Sequence, residues 1–141
     1  MPTIYHQFIV YAKPPKVFEA FTSARGLNNW WTLKCSGQQL LDADYNFYFG
    51  PEYNWHAKVI NMVPDREFTW LMKEAMDDWK STEVGFKLIE AGDHTRVNFF
   101  HKGWKEESDH FAITNYCWGQ LLAGLKNYVE KGDIIPFDKR N

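Results

Sequence analysis

The chain has 141 residues, of which 18% are aromatic (11 Phe, 7 Tyr and 7 Trp), 45% hydrophobic and 24% charged, with 16 basic against 18 acidic side chains. Disordered segments are poor in rings and rich in net charge, so this composition argues against one, and a net charge of -2 offers no basic field to a nucleic acid. A chain of this size buries roughly two-thirds of its unfolded surface, which predicts one domain, residues 1–141, whose rings line either a core or a cavity.

Residues Thr3 to Tyr11 alternate, with Ile4, His6, Phe8 and Val10 on one face and Tyr5, Gln7, Ile9 and Tyr11 on the other, the two-residue period of a strand. Met1 to Gln7 shows neither the basic stretch nor the apolar run of a signal peptide, which predicts a cytoplasmic protein. Pro14 and Pro15 end the strand and preset a helical turn, after which Val17, Phe18 and Phe21 share a helical face. Thr22 or Ser23 caps a second short helix from Arg25 to Asn29, and Trp30 and Trp31 follow it.

From Lys34 to Lys102 strands succeed one another between turns at Gly50-Pro51, Pro64-Asp65 and Gly92-Asp93. The clearest are Tyr45 to Phe49, Trp55 to Val63, Phe68 to Met72, Thr82 to Ile89 and Thr95 to His101. They alternate and are rich in aromatic and β-branched residues, so tight turns join them into an antiparallel meander. Asp77 and Asp78 beside Trp79 read as an exposed loop. Phe111, Trp118, Leu121, Leu122, Leu125 and Val129 then recur at helical spacings, which predicts one amphipathic helix of about six turns, capped by Asp109 and ended by Gly132. Glu106, Glu107 and Asp109 complement its positive end. Ile134 to Phe137 pack back, and Asp138 to Asn141 fray. The uncharged stretch from His110 to Leu125 is too short, and too interrupted by Thr114, Asn115 and Gln120, to span a bilayer.

A strand, two short helices, an antiparallel meander and a long C-terminal helix make an α+β helix-grip order. The segments PPKVFEAFTSARGLNNWW (14–31), FGPEYNWHAKVINMVPDREFTW (49–70), TRVNFFHKGW (95–104) and YCWGQLLAGLKNYVEKG (116–132) resemble the START-like (SRPBCC) superfamily. More narrowly, they resemble the family homologous to the C-terminal domain of the activator of heat-shock protein 90 ATPase. The resemblance covers nearly the whole chain. It implies a curved sheet gripping the long helix, a cavity between them that in many relatives holds a lipophilic molecule, and a link to the stress response. It also raises two alternatives: a co-chaperone-like interaction protein with a chaperone as partner, and a cyclase- or hydrolase-like enzyme.

Five histidines are the first candidates for chemistry. His56 shares a face with Lys58 and points to solvent, and His94 lies in the Gly92-Asp93 turn. His6 shares a face with Ile4, Phe8 and Val10, and His101 with Val97 and Phe99, so inward apolar faces would point both imidazoles at one cavity. There they are either core histidines bonded to backbone or groups that orient a ligand or act as acid and base. Two inward histidines without a third ligand fall short of a zinc site. Cys35 and Cys117 are far apart and form no C-x-x-C, and Cys117 reads as a small buried hydrophobe. No G-x-S-x-G and no glycine-rich phosphate loop is present. The expectation is therefore a non-catalytic domain, monomer or homodimer, that needs no metal or cofactor and binds a small lipophilic or aromatic ligand. Its expected pocket residues are His6, Phe8, Trp55, Trp70, Phe86, Phe99, His101, Trp118 and Leu122.

Overall fold

The structure is a computed structural model that describes residues 1–140. Its elements are β1 (Thr3–Val10), α1 (Pro14–Thr22), α2 (Ala24–Trp30), β2 (Lys34–Ser36), β3 (Asp44–Gly50), β4 (Tyr53–Val63), β5 (Glu67–Glu74), β6 (Glu83–Ala91), β7 (His94–Lys102), α3 (Asp109–Lys131) and a closing 3-10 turn at Phe137–Lys139. The seven strands form one antiparallel sheet in the order β1-β7-β6-β5-β4-β3-β2. The meander runs from β2 to β7, and β1 adds to its far side with Thr3 opposite Lys102 and Val10 opposite Thr95. β1 and β2 therefore occupy opposite edges, and α1 and α2 carry the chain between them. No helix among the described residues is long and apolar enough to cross a membrane.

One residue makes the corner between the two short helices. Ser23 closes α1 by donating its N–H to Glu19 O (3.0 Å) and opens α2 by accepting from Gly26 N–H at Oγ (2.9 Å). A Cβ on Gly26 would stand 2.6 Å from Ala20 O, so only glycine lets the two helices approach this closely. Trp30 Nε1–H then donates to Ala20 O (2.9 Å), tying α2 back onto α1.

Strand parity holds along most of the sheet. Tyr45, Phe47, Ala57, Val59, Phe68, Trp70, Met72, Val84, Phe86, Leu88, Val97, Phe99 and His101 are all buried. A bulge at Ile60, which has no partner between the pairs Val59–Trp70 and Asn61–Thr69, shifts the inward phase to Met62, opposite Phe68.

The long helix begins one residue earlier than expected. Ser108, in extended backbone, accepts from Phe111 N–H at Oγ (3.2 Å), whereas Asp109 already lies in the first turn, where its charge faces the positive end of the helix. Gly132 ends it in the left-handed region (φ 75°), donating its N–H to Tyr128 O (2.8 Å).

Two further expectations change. The β5–β6 loop exposes Asp77 and Asp78, but Trp79 is turned inward and only 6% exposed. Trp79 and Lys80 N–H both donate to Met76 O (2.8 and 3.1 Å), a tight turn that drives the indole under the sheet's end. In the tail, Ile134 and Ile135 stay exposed, and Arg140 is the buried residue. Its Nε, Nη1 and Nη2 donate to the carbonyls of Ile135 (2.8 Å), Thr32 (3.1 Å) and Asn28 (2.9 Å), so the segment expected to fray is clasped to α2 as far as Arg140. Asn141 lies outside the described residues.

Candidate functional site

The middle of the grip is filled. Phe21 stacks on Phe86 at 4.0 Å, Phe68 meets Trp70 at 4.9 Å, and Phe47 meets Trp70 at 5.4 Å, so the rings that parity turns inward touch one another. Between the sheet and α3, open space appears at one end, where the β3–β4 hairpin, the β5–β6 loop, the first half of α3 and the C-terminal tail converge. A cavity of about 410 Å³ lies there, open to solvent on one side.

Five rings along its wall form a closed chain of contacts. Trp31 stands 5.5 Å from Phe49, Phe49 4.8 Å from Trp55, Trp55 4.8 Å from Trp79, Trp79 5.9 Å from Trp118, and Trp118 5.0 Å from Trp31. All five line the cavity. Their arrangement has a local cause in each case: Trp31 closes α2, Phe49 and Trp55 flank the β3–β4 turn, Trp79 is folded in by its own loop, and Trp118 hangs from the inner stripe of α3. Ile113, Cys117 and Leu121 add an apolar strip of α3, and Phe137 and Arg140 close the wall from the tail.

Of the expected pocket residues, Trp55 and Trp118 line this cavity. Trp70, Phe86, Phe99 and Leu122 are fully buried in the filled core. Phe8 is half-buried at the β1 side, packed against that core, and His6 is half-buried with Nε2 2.8 Å from Asn115 Oδ1. The two imidazoles therefore do not meet in one cavity.

His101 is sealed, with 0% exposure. Trp118 Nε1–H donates to its Nδ1 (3.1 Å), which places the ring proton on Nε2, and Nε2–H donates to Thr82 Oγ1 (2.8 Å). Thr82 in turn donates to Trp79 O. Burial first, and the nearby His110 second, push the His101 pKa down to about 3. The ring is neutral, with both nitrogens bonded, so proton transfer near neutral pH is closed to it. Cys35 is similarly inert, its thiol pushed up to about 12 by burial. Cys117, read from sequence as buried, is half-buried and faces the cavity. Among the described residues no three His, Cys, Asp or Glu side chains are placed to hold a metal ion.

The polar groups at the cavity are ones that pattern reading passed over. His110, at the start of α3 and in the cavity wall, has Nδ1 3.0 Å from Asp78 Oδ2. The carboxylate accepts from Nδ1–H, and Nε2 makes no hydrogen bond among the described residues. A signal for this strip existed: His110, Ile113, Thr114, Cys117 and Leu121 recur at helical spacing beside the core stripe. Arg140 had no such signal, because its partners Thr32 and Asn28 lie more than a hundred residues away.

A long helix held across a curved antiparallel sheet, with two short helices after the first strand and an aromatic cavity at one end, defines a START-like helix-grip domain. The chain belongs to the family described as Activator of Hsp90 ATPase homolog 1-like protein, whose model matches residues 11–130. Among solved structures it is similar to the Aha1 dimer from Colwellia psychrerythraea, with 31% identity, 94% of this chain and 99% of that one covered, and a TM-score of 0.85. A protein from Staphylococcus saprophyticus shares the fold at 16% identity, covering 95% and 96% of the two chains with a TM-score of 0.80. CalU16 from Micromonospora echinospora does so at 18% identity, covering 92% and 77% with a TM-score of 0.76. No curated protein sequence matches the chain.

Proposed function

We propose that residues 1–141 act as one domain that binds a small apolar or aromatic molecule in the end cavity without transforming it. The five contacting rings that line an open space of about 410 Å³ carry this reading. Ligand sites are concave, mostly apolar and within roughly 300–1,000 Å³, with few polar groups to fix orientation. His110 Nε2 is such a group, placed to hydrogen-bond a ligand hydroxyl. In a titration with 1-naphthol followed by saturation-transfer NMR, the wild type should bind, and Cys117→Trp, which fills the cavity from α3, should weaken binding at least about tenfold, or about 1.4 kcal/mol. Equal binding by both proteins would sink the assignment of the site.

A second reading has its own support in the family description and in the Aha1 relative. On that reading the domain raises the ATPase rate of an Hsp90-type chaperone as a stress-related partner. Steady-state hydrolysis should then rise on saturation with the domain. An unchanged rate removes this reading and leaves the ligand site standing.

A further inference from the structure

The cavity is chemically different at its two ends. His110 and Leu121 mark the ends of the α3 strip that lines it, about 16 Å apart along the axis at 1.5 Å per residue. At the His110 end the imidazole is held by the Asp78 carboxylate, Nδ1 to Oδ2 at 3.0 Å. Arg140 belongs to the Leu121 end, since it also lines the small crevice next to the cavity together with Leu121, Gly124 and Trp30. Between them stand the rings.

Arg140 is 9% exposed, and its charge has no partner carboxylate among the described residues. Its three carbonyl partners satisfy one N–H on each nitrogen but neutralise nothing. A guanidinium has five N–H donors, so two remain, one on each terminal nitrogen. Burying a cation without a counter-ion is unfavourable. Here that cation forms part of the wall of an apolar cavity, with the Phe137 ring 5.7 Å beneath it. An entering anion would pair with this charge and take the two remaining donors in the paired geometry that guanidinium and carboxylate share.

We infer that the ligand is an amphipathic aromatic acid, its rings held against the aromatic circuit and its carboxylate set against Arg140. The inference rests on the ligand-binding reading above and adds the charge and orientation of the guest. Biphenyl-4-carboxylate and biphenyl-4-carboxamide have the same shape and differ in charge, so they separate the two ideas. By calorimetry, the wild type should bind the acid at least about tenfold more tightly than the amide. In Arg140→Gln that preference should vanish. Because Arg140 also clasps the tail, a second measurement uses the wild type alone. The 15N resonance of Arg140 Nε should shift on addition of the acid and stay in place with the amide. Equal affinity for the two probes in the wild type, an acid preference that survives in Arg140→Gln, or an unmoved Nε resonance would overturn the inference. Amide binding without acid preference removes the acid and keeps the ligand site; binding of neither probe removes both.

Discussion

Replacing Trp118 by Ala should destabilise the fold by about 3–5 kcal/mol, with a further ~1–3 kcal/mol from the acceptor it strands. The indole is 1% exposed and packs against Phe99 at 4.7 Å, Trp31 at 5.0 Å and Trp79 at 5.9 Å. Truncation removes these contacts and leaves His101 Nδ1 without a donor in a site closed to solvent. Trp118→Phe separates the contributions, because it keeps an aromatic ring and loses the N–H. That variant should cost about 1–3 kcal/mol, the range for a stranded buried acceptor. Urea unfolding followed by circular dichroism, with slopes unchanged between proteins, measures both. A loss below about 2 kcal/mol for Trp118→Ala would mean that the rings are not packed as the distances require.

The second large effect is acid sensitivity centred on His101. Its folded pKa, about 3, lies below the ordinary histidine value of 6.5. Between those two values the unfolded chain binds a proton that the folded chain refuses. The contribution is therefore fully present above pH 6.5, falls by about 1.4 kcal/mol per pH unit below it, and is exhausted near pH 3. His101→Gln lowers the baseline, since the two donors and acceptors around the ring are re-paired imperfectly, but it removes this slope. Comparing urea midpoints of the two proteins from pH 4 to 7 isolates the histidine from the carboxylates, which are common to both. Parallel profiles would show that His101 is not held neutral by the fold.

Much of the architecture was legible because it is written in short-range pattern. Alternation placed Trp70, Phe86 and Phe99 inside, and the three-four spacing of Trp118, Leu122 and Leu125 placed α3 across them. The boundary of α3 was missed by one residue because serine and aspartate are both good caps, and backbone geometry chooses between them. Where the cavity lies was much less legible. Parity says which face a side chain takes, but not whether the opposing face touches it, and α1 fills the middle of the sheet with Phe18 and Phe21. The determinants of the open end are of other kinds. Trp79 is turned in by backbone hydrogen bonds to Met76 O within a polar loop, and Arg140 is fixed by carbonyls at the other end of the chain. Neither leaves a periodic trace.

The ring circuit gives the cavity an optical signature of its own. Four of the seven tryptophans, Trp31, Trp55, Trp79 and Trp118, belong to it, each within contact of the next ring. Excitation absorbed by one indole can pass to the others, so a guest that quenches a single member darkens the group. Trp30 and Trp104 stand outside the cavity lining but only 6.1 Å from Trp31 and 6.4 Å from Trp79, so they share in that coupling. Occupancy is thus read by a coupled group of indoles, and the protein reports its own guest without a label.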